Sequence, residues 1–96
     1  MSVKVLMLKS GEDVIADVSE MFSNDRVLGY TLDAPYIVSL DNRQVEDQKT
    51  FADIAFSPWM PVSKERKISI PTDWVVTIVE PIDKVKTLYN ENILNR

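Results

Sequence analysis

The side chains that most enzymes use for acid–base and nucleophilic chemistry are missing from this sequence. None of its 96 residues is a histidine or a cysteine. Histidine is the common general base near neutral pH, and both residues are the usual zinc ligands. Ser-His-Asp hydrolases, thiol proteases and nitrogen- or sulfur-ligated metal sites are therefore excluded. Carboxylate chemistry remains, but so short a chain seldom builds both a core and an enclosing cleft. We expect no enzyme, no cofactor and no small-molecule substrate.

A basic stretch in the second half of the chain can contact phosphates. It contains Lys64, Arg66 and Lys67, and Glu65 among them dilutes the positive charge. Three cations supply only a small counterion-release contribution to nucleic-acid binding. The stretch is therefore either a phosphate contact or a solvated turn that keeps a hairpin soluble.

Asp33 and Tyr36 flank a proline-containing break and can also take part in binding. Asp33 precedes Ala34-Pro35, where it can hold a ligand-contacting loop or simply cap a turn. Tyr36 can stack on a nucleobase or pack as an ordinary strand aromatic in a core or interface. Trp59 and Trp74 are large side chains of the kind that anchor interfaces. We interpret Trp59 as a surface cover or a partner contact. We interpret Trp74 as part of an interface or of the adjacent core.

The charge distribution works against strong binding to a polyanion. The net charge is −4, and the acidic excess lies in the first half of the chain. Residues 1–48 carry 4 basic and 9 acidic side chains, whereas residues 49–96 carry 7 basic and 6 acidic side chains. Nucleic-acid affinity draws largely on lysine and arginine. Any RNA binding must therefore use a local basic site.

Short β-branched and aliphatic runs, separated by turn residues, predict a mainly β domain. The turn at 9–12 contains Gly11, residues 23–29 form a loop, and the polar segment 41–50 is expected to be exposed. Extended stretches at Tyr30–Leu32 and Ile68–Ile70 are shorter. The five predicted strands are Val3–Leu8, Asp13–Val18, Tyr36–Leu40, Phe51–Phe56 and Trp74–Val79.

The end of the chain predicts a covered strand followed by a helix. Trp74–Val79 is apolar on both faces apart from Thr77, which predicts a second layer or a neighbouring subunit over it. From Pro81 to Asn92, apolar residues recur at helical spacing. We expect one domain, a strongly bent five-stranded antiparallel sheet or small open barrel over residues 1–80, with a C-terminal helix and tail over 81–96.

The strand pattern over residues 3–79 resembles the Sm-like family of RNA-associated, ring-forming proteins. An apolar strand, Gly11, a second apolar strand and Asp33 before Tyr36–Leu40 resemble its first motif, and Ile70–Ile78 stands in the place of its second. The runs Ser57–Pro61 and Asp73–Pro81 are similar to small Sm-like proteins of marine cyanophages.

The resemblance implies a homo-oligomeric ring in which an edge strand of one subunit pairs with an edge strand of the next. Heterologous edge contacts close into rings or continue as fibres. Trp74–Val79 is the expected donor, with the strand near Phe51–Phe56 as its partner. The interface residues predicted on this basis are Phe51, Ile54, Phe56, Trp74, Val76 and Ile78.

By the same resemblance, the expected function is weak single-stranded RNA binding or RNA-chaperone-like work. The family's Arg-Gly pair falls on Pro71 and Thr72 and its base-contacting Asn near Ile37, so Asp33 alone is kept of that set. The RNA-binding residues predicted are Asp33, Tyr36, Lys64, Arg66 and Lys67. The alternative is a protein-binding or scaffolding ring without RNA activity. We expect no export signal and no membrane contact, and a cytoplasmic location, by resemblance in a phage-infected bacterium.

Overall fold

A computed structural model describes residues 2–41 and 53–95. Within these residues, six strands are followed by one short α-helix. A 3₁₀ turn at Thr72–Trp74 precedes the last strand, and a π-helical turn at Asn90–Leu94 follows the helix. The elements are β1 (Ser2–Leu8), β2 (Asp13–Ser23), β3 (Arg26–Asp41), β4 (Asp53–Pro58), β5 (Lys67–Pro71), β6 (Val75–Val79) and α1 (Asp83–Tyr89).

The strands form one antiparallel sheet in the order β4-β3-β2-β1-β6. The long β3 pairs along one edge with β2, and its other edge is shared: β5 pairs with residues 29–33 and β4 with residues 36–41. The prediction of a mainly β antiparallel fold with a C-terminal helix is confirmed. The sheet has six strands rather than five because the extended stretch around Ile68–Ile70 is a full strand, and within the described residues it does not close.

The hairpin of β2 and β3 is longer than the sequence predicts. We expected a loop over 23–29, but the turn is only Asn24 and Asp25, with φ of 50° and 64°. Both central residues of a type I′ turn need positive φ, which asparagine and aspartate tolerate better than most residues. The strands therefore continue to Ser23 and restart at Arg26.

The predicted break at Asp33–Pro35 is a bulge inside one continuous strand. Between the cross-strand pairs Ile15↔Tyr36 and Asp17↔Asp33, Ala16 on β2 lies opposite both Ala34 and Pro35 on β3. Ala34 has a φ of 54°, in the left-handed region. A proline is tolerated here because a bulge leaves one residue outside the ladder.

The two faces of the sheet carry separate apolar clusters. Along β1, Val3 lies on one face while Leu6 and Leu8 lie on the other, as strand alternation requires. We call the cluster within the bend the inner core and the one under the helix the outer core. The inner core consists of Leu6, Leu8, Val14, Ala16, Val18, Leu32 and Ile70; the outer core of Val3, Ile15, Val85 and Tyr89.

The helix α1 packs on the sheet of its own chain. Val85 and Tyr89, one turn apart, are its buried residues and contact the outer core. It begins at Asp83, later than predicted, because Ile82 is still extended, with ψ of 154°.

Within residues 2–41 and 53–95, the cover predicted over β6 is not present. Val75 and Ile78 pack against the inner core, but Trp74 is 43% exposed and Val76 is 59% exposed. The apolar residues of this strand are therefore only partly buried in a single copy.

Substitution of Gly29 tests the docking of β5. The sequence places Gly29 in a loop, but it lies in β3, where a Cβ atom would come 2.4 Å from the Ile70 carbonyl oxygen. Gly29→Ala is therefore expected to lower the free energy of unfolding by about 1–3 kcal/mol through overpacking. Urea denaturation measures this, with Ser57→Ala on exposed β4 as control. Equal midpoints for the two variants would contradict the close approach of β5.

Candidate nucleic-acid interface

A shallow groove of about 380 Å³ lies where β3 bends, between the end of β4 and the start of β5. Its position follows from the bulge, since β4 and β5 share one edge of β3 and the chain between them, residues 59–66, must cross the bend. Tyr36 and Arg66, both predicted RNA-binding residues, line it. Pro58, Met60 and Pro61 add an apolar wall.

Asp33 and Arg66 are paired at the edge of this groove. Arg66 Nε donates to Asp33 Oδ1 at 2.7 Å, and the Ala34 amide donates to the Arg66 carbonyl oxygen at 2.8 Å. The arginine is therefore attached to the bend by its side chain and by its backbone. Lys67 is the cross-strand partner of Asp33 in the β3–β5 register. Asp33, Arg66 and Lys67 thus come together although they lie far apart in sequence.

Tyr36 and Lys64 occupy different environments. Tyr36 is half-buried and packs against the outer core while also lining the groove. Lys64 is exposed in the connection between β4 and β5. The structure therefore gives Tyr36 the packing role that the sequence left open, together with access to the groove.

Tyr89 is a residue of this site that the sequence reasoning missed. It is fully buried, and its hydroxyl donates to the Ala34 carbonyl oxygen at 2.6 Å and to that of Asp33 at 3.2 Å. Its ring lies edge-on to Phe56, with centroids 6.1 Å apart. The helical spacing placed Tyr89 on the apolar stripe, but no pattern in the sequence indicates where its hydroxyl bonds.

Burial raises the pKa of Tyr89 well above its ordinary value, and the nearby carboxylates of Asp33 and Asp17 raise it further. The hydroxyl therefore remains a neutral donor across the physiological range. It anchors the end of α1 to the strained bend of β3.

The electrostatics of the site are nearly balanced. Lys64, Arg66 and Lys67 are opposed by Asp17, Asp33 and Glu65, which makes three charges of each sign. Asp17, which faces Asp33 across β2 and β3, has a buried Oδ1 atom with no hydrogen-bond partner within the described residues. Like charges directly opposite in a sheet repel. The Arg66 side chain offsets this repulsion at Asp33.

The predicted interface residues on β4 pack inside the single chain. Ile54 and Phe56 are half-buried against the outer core, so the part of β4 open to a partner is its backbone edge. Phe51 lies outside the described residues. Their place at a subunit interface stays a prediction.

The predicted interface residues in β6 and in the 3₁₀ turn before it divide between core and surface. Ile78 packs against the inner core, whereas Trp74 and Val76 are exposed. Trp59, in contrast, is half-buried over the inner core, and its Nε1 donates to Glu12 Oε1 at 3.3 Å. It acts as the surface cover that its proline-flanked position suggests.

Comparison with known proteins places this architecture in a family. A family model matches residues 1–94. The chain belongs to DUF6561, a family of unknown function. A search of curated proteins finds no match. Since the DUF6561 description carries no activity or ligand, the function must be argued from the geometry.

Two further observations bear on the class of site. Among residues 2–41 and 53–95, no helix of this DUF6561 protein is long and apolar enough to cross a membrane. In the same ranges, no group of three or more histidine, cysteine, aspartate or glutamate side chains is placed to hold a metal ion.

Removal of the Tyr89 hydroxyl tests the anchoring of the bend. Tyr89→Phe leaves the buried Ala34 carbonyl oxygen without this donor, and we expect it to cost about 1–3 kcal/mol in the free energy of unfolding. Urea denaturation near neutral pH measures the loss. An unchanged midpoint would show that the hydroxyl bonds do not stabilise the fold.

The difference in stability between wild type and Tyr89→Phe should depend on pH. The folded-state pKa of Tyr89 is raised above the ordinary value of 10.0, so the stability it contributes is complete below that pH. As the pH rises above 10, the unfolded tyrosine ionises first and this stability is lost. The gap in stability between wild type and Tyr89→Phe should therefore stay constant up to about pH 10 and narrow steadily above it, toward the raised folded-state pKa. A constant gap would mean that Tyr89 is not buried as described.

Proposed function

We propose that this DUF6561 protein is an Sm-like, ring-forming module that binds single-stranded RNA weakly. The observation that carries the proposal is the order β4-β3-β2-β1-β6, which leaves β4 and β6 at opposite edges of the sheet. These are the two segments that the sequence resemblance implies as pairing partners between subunits.

The state of the edges supports assembly. An open strand edge presents unpaired backbone groups and is an aggregation hazard unless something pairs with it. The hazard is increased by the exposed side chains of Val76 on β6 and of Trp74 directly before it. Pairing β6 of one copy with β4 of the next satisfies these two edges, and the outer edge of β5, which pairs with β3, is not part of this contact. A repeated contact of this kind closes as a ring when the subunit angles allow it.

RNA binding is proposed at the groove along the β3 bend. Tyr36 offers an aromatic surface, and Lys64, Arg66 and Lys67 offer phosphate contacts at or beside the groove. The binding is weak because Arg66 is paired with Asp33 and Glu65 dilutes the remaining charge. Several copies in a ring would raise the overall affinity through avidity. The setting proposed, from the resemblance, is the cytoplasm of a phage-infected bacterium.

The second candidate function is a protein-binding or scaffolding ring without RNA activity. It is favoured by the Asp33–Arg66 pair, which commits the central cation of the groove to the fold. Exposed apolar side chains at Phe22 and Leu28, on the β2–β3 hairpin, offer surface for a protein contact.

Light scattering tests the ring. We expect a defined oligomer at micromolar concentration, because both sheet edges need a partner. Val76→Glu should shift it toward monomer, since a charge would enter the β6 contact. Leu28→Glu is the control: Leu28 is 54% exposed and Val76 is 59% exposed, but Leu28 lies on the β2–β3 hairpin. This variant should leave the mass of the oligomer unchanged. A wild-type protein that stays monomeric would contradict the proposal.

An RNA titration on the same sample tests the ligand. Uridine-rich single-stranded RNA should bind at low salt, and affinity should fall as salt is added. Replacing Lys67 by glutamine should reduce the slope of log affinity against log salt by about 0.7. Replacing Lys86, an exposed lysine on α1, by glutamine is the control. An oligomer that binds no RNA at low salt would exclude the RNA function and leave the scaffolding ring.

A further inference from the structure

A second groove, of about 730 Å³, lies on the helix-covered face of the sheet. It exists because α1 begins only at Asp83 and its seven residues do not reach across this face. Val5 and Val38 form an uncovered apolar floor, and Val79, Ile82 and Val85 form the wall. We call this feature the outer groove.

Carboxylates stand at both ends of the outer groove. At one end, Glu12 lies in the turn between β1 and β2, and Asp13 is the first residue of β2. At the other end, Glu80 follows β6 and pairs with Lys4. An apolar floor with an acidic rim suits an apolar segment that also carries positive charge.

The chain itself contains such a segment. Between β4 and β5, Val62 is 91% exposed and Met60 is 44% exposed, and Lys64 follows at once. None of residues 59–66 lines the outer groove of its own chain. The start of the segment is held elsewhere, since the Trp59 amide donates to the Pro35 carbonyl oxygen at 3.1 Å.

We infer that the outer groove receives the β4–β5 connection of a second copy, with Val62 on the apolar floor and Lys64 against Asp13. In the assembled ring Lys64 is then a subunit contact, and Arg66 and Lys67 remain beside the RNA groove. The inference rests on the proposed pairing of β4 with β6. Antiparallel pairing, as in every strand pair of this sheet, places the Pro58 end of the incoming β4 beside Val75, where β6 begins.

The β1–β2 turn lies at that same end of β6. The Lys9 amide donates to the Trp74 carbonyl oxygen at 3.0 Å, which fixes the turn beside the start of β6. The connection that follows Pro58 of the incoming copy therefore continues toward Glu12 and Asp13. The groove contact adds an apolar anchor and a charge pair to a contact otherwise made by backbone hydrogen bonds.

A charge exchange tests the contact. Asp13→Lys and Lys64→Asp should each weaken self-association about tenfold, because like charges then meet at the rim. The double variant should recover most of the loss, as coupled neighbours do in a double-mutant cycle. Glu20→Lys and Arg26→Asp, both at exposed positions on the β2–β3 hairpin, are matched controls. Sedimentation velocity over a concentration series gives the association constants.

Val62→Ser tests the apolar half of the contact without changing charge and should also weaken association. The far-UV circular dichroism spectra of all these exposed-site variants should match that of wild type, which shows that each variant is folded. If wild type assembles but neither single exchange changes the association constant, or the double variant does not recover, the groove serves another occupant and the inference is wrong. If wild type is monomeric, the edge pairing itself fails, and the inference with it.

Discussion

The bend of β3 at Ala34 is the constraint on which the rest of the structure depends. A non-glycine residue in the left-handed region costs roughly 1–2 kcal/mol, and here the φ is 54°. The surrounding bonds offset that cost: the Ala34 amide bonds to Arg66, and its carbonyl accepts from Tyr89. Because β3 bends here, β4 and β5 share one of its edges, and the RNA-binding groove proposed above forms between them.

The same interactions give a structural reason for residues that also look like ligand contacts. Asp33 stands in the position that the Sm-like resemblance associates with RNA, yet its carboxylate accepts from Arg66 and its carbonyl from Tyr89. A residue that shapes the loop at a binding groove can serve both purposes. The fold therefore explains why Asp33 stands there without requiring that it touch RNA, and the weight of the proposed function rests on the sheet edges and on Tyr36 and the lysines.

Local sequence patterns predicted the types of the secondary-structure elements well and the contacts between these elements poorly. Alternation in β1 and β2 and the apolar stripe through Val85 and Tyr89 are set by neighbours in sequence, so they could be read directly. Gly29 was assigned to a loop because glycine is common in loops. Its place in β3 is explained by the close approach of β5, which is a tertiary contact and leaves no local pattern. The pairing of Asp33 with Arg66 and the bonds of the Tyr89 hydroxyl depend on register and helix placement, which no local pattern contains.

The central claim is that β4 and β6 pair with one another between copies. Hydrogen exchange of their outward backbone amides, followed by mass spectrometry at a low and a high protein concentration, tests it most directly. The account predicts that exchange in residues 53–58 and 75–79 slows as concentration rises, while exchange in the β2–β3 hairpin tip, residues 21–28, does not change. Fast exchange of both edges at every concentration would contradict it.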